Sequence, residues 1–305
     1  MLIYLKLNPL KKVKMKGLNK IGLLFLAVLI FSCSTVKESN NHWFRDINVC
    51  KKLQSKVLIY PVFVEEKKGF KWSTEDVAEF MDSLALAVDW IKYKADKNKI
   101  QLEIISENHP KVIVKGLPAE NIKETDKLFE ASSGFEKINK HYDGIAKLVG
   151  VSIKKQETIK PFVEKFNNKE RLCAKLRNIY QVESVVLLFV HKSETMDNVY
   201  FTMNSLTNEN VEFAVTSINN PTLIAAQILE MFGAATLLYS LEKKSEEKSA
   251  KYVKDNFPLD IMGNPLSNIN TLDIGKYTQY LIGWHNDFLP EYKTMTSSKL
   301  IIVKK

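Results

Sequence analysis

The chain has 305 residues, 45% of them hydrophobic and 26% charged, with a formal net charge of +9. Residues 1–32 carry six lysines and no acid, so the remaining 273 residues hold a charge of only +3, enough chain for one large domain or two small ones. The later lysines alternate with acids, as in Lys243-Lys244-Ser245-Glu246-Glu247-Lys248, and no basic stripe with interleaved aromatics appears, which argues against nucleic acid as a partner.

Residues 15–20 form a short positive region, and Ile21–Phe31 is an uninterrupted apolar run. Eleven apolar residues are too few for a helix that must cross a layer needing about 20. A charged start, a short apolar core and a small residue before a cut site read as a secretion signal over 1–32. Met15 is an alternative start. Ile30-Phe31-Ser32-Cys33 resembles the lipobox, which implies acylation of Cys33 and a membrane anchor in the cell envelope, periplasmic or surface-exposed. Residues 33–45 are polar and without periodicity, as in a tether, and 46–305 form the folded domain.

The run 57–64 is expected to be a buried strand. Thr74 is placed as the N-cap of a helix reaching about Ala95, with Val77, Phe80, Met81, Leu84, Ala87, Val88 and Ile91 on its apolar face. Strands follow at 100–106 and 111–115, then loops with a helix near 135–148, and a longer helix from 160 to 180. Val185–His191 is a fully apolar strand, and 198–206 and 210–217 are two further strands about a turn at Thr207-Asn208-Glu209. Asn219, Asn220 and Pro221 open a helix from Thr222 to about Leu241, apolar almost all round and so expected in the core. A turn-rich segment, 256–265, and a last helix from Leu272 to Trp284 complete an α+β chain with one mixed sheet and a buried helix beneath it.

Cys50 and Cys173 remain besides Cys33: an oxidising compartment permits a disulfide, and two buried thiols are the alternative. The four tryptophans read as packing residues. There is no Gly-x-Ser-x-Gly elbow, Gly-rich phosphate loop or Cys-x-x-Cys pair.

The segment 222–239, with Phe232-Gly233-Ala234 at its centre, resembles the active-site helix of the metzincin-like zinc metallopeptidases, where His-Glu-x-x-His-x-x-Gly-x-x-His/Asp binds the metal. Residues 257–265, around Met262, resemble the methionine turn that floors that metal, and 280–284 are similar to the C-terminal helix of secreted members. The resemblance implies a zincin-like single domain, with Phe232, Gly233 and Met262 as framework. It also implies that the ligands are gone. Counted back from Gly233, the first histidine falls on Ala226, the general-base glutamate on Gln227, the second histidine on Glu230 and the third ligand on Thr236. Catalytic zinc needs three protein ligands and an open position for water. The five histidines, His285 included, show no ligand spacing, so no metal or other cofactor is expected. Ala226, Gln227 and Glu230 share one helix face, and Glu230 is expected to be satisfied by polar neighbours such as Gln227 or Thr236.

Three readings follow. The first is a lipid-anchored pseudo-peptidase that binds a peptide or protein without cutting it. The second is an active hydrolase with a displaced metal centre, using Glu230 and His285. The third is an unrelated structural lipoprotein. Only the first two require Met262 to lie against the 226–236 helix.

Overall fold

A computed structural model of the chain describes residues 50, 52–66, 71–107, 111–117, 132–153, 167–192, 200–203, 211–235, 237 and 246–290. The expected signal over 1–32, Cys33, the expected tether over 33–45, the turn expected at 207–209 and Thr236 lie outside these residues. Strand β1 (Ser55–Glu66) is the longest in the sheet. Its side chains alternate between two apolar surroundings: Val57, Ile59 and Phe63 enter one core, and Leu58, Tyr60, Val62 and Val64 the other. A strand buried on both faces reads as a continuous apolar run, which is why 57–64 shows no polar alternation.

Both long edges of β1 are used. Strands β2 (Leu102–Ile105) and β3 (Val112–Leu117) lie parallel to it along the same edge, β2 against Ser55–Leu58 and β3 against Val62–Glu66. On the other edge runs β4 (Ser184–His191), parallel over Val57–Val64. Next comes β6 (Phe213–Thr216), parallel to β4, and last β5 (Tyr200–Met203), antiparallel to β6. The sheet is therefore mixed, in the order β2-β1-β4-β6-β5, and the architecture is α+β.

Helix α1 (Thr74–Lys97) covers one face, burying Val77, Phe80, Leu84, Ala87, Val88 and Ile91. Its N-cap is Ser73, not Thr74. Ser73 is extended, its hydroxyl accepts from the Asp76 amide at 3.1 Å, and its own amide donates to the Asp76 carboxylate at 2.9 Å. The opposite face is covered by α2 (Ser132–Ser152) and α3 (Asn168–Tyr180). The helix expected from 160 is described only from Asn168, where Asn167 and Glu170 form a second capping box. Asp143 of α2 accepts from the Lys169 amide at 3.0 Å and from Asn168 Nδ2 at 2.6 Å, so one carboxylate binds two helices together.

Tyr142 of α2 packs its ring 4.8 Å from that of Phe189 and 5.1 Å from that of Phe213. Its hydroxyl lies 3.0 Å from Nε2 of His191, the last residue of β4. Burial, reinforced by nearby His141, pushes His191 down to about 3, so it stays neutral. Cys50 and Cys173 are buried free thiols, and burial raises both, Cys173 to about 12.

After the sheet come α4 (Pro221–Met231), α5 (Glu246–Asn256), a 3-10 turn at Ile269–Thr271 and α6 (Lys276–Leu281). The sequence reading placed no helix at α5. It also overextended α6 at both ends: Leu272–Gly275 form an extended link before it, and the helix stops at Leu281.

The alternation on α1 is open to a direct check. Leu84 is fully buried and Leu86 is 59% exposed. Urea denaturation should place Leu84→Ala about 2–5 kcal/mol below the parent and Leu86→Ala within about 0.5 kcal/mol of it.

Candidate functional site

Helix α4 opens at Asn220, whose Oδ1 accepts from the amides of Thr222 at 2.9 Å and Leu223 at 3.3 Å. Pro221 stands at the first helical position, where its missing N–H costs nothing. From Thr222 to Leu229 every residue is buried, so the helix is enclosed between the sheet, α1 and the turn that follows. It ends sooner than its apolar pattern suggests. Gly233 has φ 98°, a left-handed conformation that disfavours side chains, and the amides of Gly233 and Ala234 close back onto Glu230 and Leu229 at 3.0 and 3.1 Å. The helix expected to reach Leu241 therefore stops at Met231, and residues 238–241 lie outside the described ones.

The turn at 257–265 packs against this helix end. Leu237 donates its amide to the carbonyl of Met262 at 3.2 Å, and Thr222 Oγ1 donates to the carbonyl of Ser267 at 2.9 Å. Met262 and Phe232 are buried in the same core as α4. Within the turn, Asn264 Nδ2 donates to the carbonyls of Pro258 and Asp260, each at 3.3 Å. The Asp260 carboxylate is enclosed and accepts from the Met262 amide at 2.9 Å and from Thr278 Oγ1 at 2.9 Å. It also faces Gly275, the N-cap of α6, which has no side chain to cap that helix. A Cβ on Gly275 would stand 2.3 Å from Asp260 Oδ2, so the close approach requires glycine there. Burial outweighs these hydrogen bonds and raises Asp260 to about 6.

Gln227 is the most informative of the expected positions. Phe201 of β5 and Val215 of β6 face each other in the ladder, and both side chains point into the α2–α3 core. Gln227 of α4 reaches this pair: Nε2 donates to the carbonyl of Val215 at 2.8 Å and to that of Phe201 at 3.3 Å. Two carbonyl acceptors fix which end of the amide is nitrogen. Oε1 is thereby turned away from both, buried without a partner among the described residues, and so is Oγ1 of Thr202.

Ala226 is buried and contributes a methyl, and Glu230 is half-buried one turn on. His285 is elsewhere: its Nε2–H donates to the carbonyl of Lys276 at 2.9 Å. The residues at the positions that the metallopeptidase resemblance assigns to the metal do not fit zinc. Ala226 has no lone pair, Gln227 is committed to the sheet, and Glu230 alone is a single ligand. Among the described residues, no group of three His, Cys, Asp or Glu side chains could hold a metal ion. The structure thus brings Ala226, Gln227, Glu230, Phe232, Gly233 and Met262 into one region, and leaves His285 out. Thr202 and Asp260 were not singled out from sequence. Thr202 carries no local signal, whereas Asp260, an acid inside an apolar turn, could have been noticed.

Introducing a glutamate at position 227 should be harmful. Gln227→Glu sets a carboxylate against two carbonyl oxygens, and at neutral pH stability should fall by about 3 kcal/mol or more. Acidification should relieve the loss, because a protonated carboxyl can donate, and urea titrations at pH 7 and pH 4.5 read both effects.

Asp260 has the opposite sense to His191. Its folded value lies above that of a free carboxyl, so its contribution is full below about 3.8 and is lost as pH rises through about 6. His191 contributes above about 6.5 and loses that contribution as pH falls. Asp260→Asn should therefore remove a fall in stability between pH 4 and pH 6.5 that the parent shows relative to it, measured as the difference between the two denaturation profiles.

The chain matches no protein-family model, no curated protein and no solved structure.

Proposed function

We propose that this chain is a lipid-anchored protein of the cell envelope, built on a zincin-like fold that has lost its zinc centre and binds a peptide or protein instead of cutting it. The observation that carries the reading is Gln227. At the position of the family's general base stands an amide whose nitrogen is held by two strand carbonyls, 2.8 and 3.3 Å away. An amide takes no proton from water near neutral pH, and one held this way is a structural group.

Three further features support the zincin-like reading: the helix break at Gly233, the docking of the Met262 turn on residue 237, and a mixed sheet with one antiparallel edge strand beside α4. That strand, β5, has no second partner among the described residues, and an open strand edge is a template for an extended peptide. The anchor rests on the segment 1–33 alone. No helix among the described residues is long and apolar enough to cross a membrane.

The full chain, purified in mild detergent, is dialysed against excess zinc and then against buffer. Elemental mass spectrometry should find zinc well below one atom per chain, and a panel of quenched fluorescent peptides should stay intact. Stoichiometric zinc together with peptide hydrolysis would overturn the proposal in favour of a displaced metal centre.

A further inference from the structure

The segment 257–284 grips the beginning of the domain as well as the end of α4. Leu53, two residues before β1, is fully buried and donates its amide to the carbonyl of Ile282 at 2.9 Å. Trp284 Nε1 donates to the carbonyl of Leu53 at 2.7 Å. The residues just after α6 therefore clasp the chain where it enters the sheet. Asp260 stands at the other end of the same segment. The Ile261 amide donates to the carbonyl of Asp273 at 3.0 Å, and the Asp273 amide to the carbonyl of Leu259 at 2.7 Å, so the turn and the link before α6 run side by side. The Asp260 carboxylate, 3% exposed, ties both to α6 through Thr278 Oγ1, 2.9 Å from Oδ2.

The two protonation states of this carboxyl are not equivalent. Among the described residues Asp260 forms no ion pair: Lys94 of α1 lies 3.2 Å from Asp273 instead, Lys97 also interacts with Asp273, and Lys254 of α5 and Lys276 of α6 are exposed. A charge enclosed without a counter-charge is disfavoured by burial, and the Asp273 carboxylate adds to that, against the hydrogen bonds from Met262, Thr278 and Gly275. The balance raises Asp260 to about 6. A protonated carboxyl keeps its contact with Thr278, because a hydroxyl accepts as well as donates.

Opening the segment would return Asp260 to water and to the ordinary value of 3.8. A group that is more acidic when open favours opening as pH rises past its open-state value, and the effect is complete above its closed-state value. Parts of a domain can open in this way as units, below the free energy of global unfolding. From this arrangement we infer that Asp260 is a proton-operated catch. Protonated, it keeps the turn 257–265 and α6 docked and the clasp on residues 52–53 closed; ionised, it lets that segment open while the sheet stays intact.

Hydrogen exchange of the full chain in mild detergent, followed by mass spectrometry from about pH 4 to pH 7 and corrected for the intrinsic rate at each pH, reads the catch directly. The amides of Leu53, Ile261, Gln279 and Ile282, each bonded across or within the segment, should be at least about tenfold more protected at pH 4 than at pH 7. Amides of β4 should show no such gain, because His191 at its end loses its contribution on acidification. Asp260→Asn should abolish the gain. Asp273→Asn, which removes only the neighbouring like charge, should move the gain to lower pH. A parent without the gain, or a gain that survives in Asp260→Asn, would overturn the proposal. If Asp260→Asn does not fold, an unmoved gain in Asp273→Asn would overturn it. An equal gain in β4 would mark a change in global stability and overturn the local catch.

Discussion

The parallel pairing of β1 with β4 is the constraint on which the other elements depend. The two strands match residue for residue from Val57 with Ser184 to Val64 with His191. Every residue of β4 after Ser184 is buried, and β1 is enclosed on both sides. Two such strands cannot face water on either surface, so helices are needed above and below. Helices α2 and α3 meet this need on one face, and α1 and α4 on the other. The layer containing α4 is therefore a core layer first, and any cleft beside it is limited to the margin near β5.

Enclosure also decides which polar groups that layer can hold. Asp260 is accommodated because the amide of Met262, the Thr278 hydroxyl and the backbone at Gly275 converge on it. One carboxylate thus joins the turn to the start of α6, in place of a cap that glycine cannot supply. Gln227 is accommodated for half its amide only. Its nitrogen donates to carbonyls of the β5–β6 pair, while its oxygen has no partner among the described residues. A fully apolar residue there would leave those carbonyls facing hydrocarbon, and an anionic one would repel them. The amide suits the sheet better than the glutamate that the resemblance to metallopeptidases calls for. In this chain, the amide at position 227 and the packing of the helix on the sheet are aspects of one arrangement.

How much was legible depended on whether a signal was local. The strands β1 and β4 were visible because burial on both faces forces unbroken apolar runs, and α1 because its apolar residues recur at helical spacing. The start of α4 was visible in Asn220 and Pro221. Its end was not. The run Phe232–Tyr239 continues the apolar pattern, and the left-handed backbone at Gly233 overrides it. Helix α5 was missed because EEKSAKYVKDN has few apolar residues to mark a helical face. Within the site, the positions of Ala226, Gln227 and Glu230 could be counted from Gly233, and their shared face follows from helix geometry.

The sequence by itself determined the apolar strands, the helix faces, the absence of ligand chemistry at Ala226 and Gln227, and the signal-like segment ending at Cys33, because each depends only on residues close together in the chain. Tertiary structure alone decided where Gln227 turns its amide, that Asp260 serves a helix fifteen residues later, that Thr202 lies beside α4, and that His285 does not. Those outcomes are set by which backbone and side-chain groups a neighbouring strand or turn brings within reach. That proximity comes from the pairing of β5 with β6 and the docking of the 257–265 turn, neither of which is written in the spacing of any one segment.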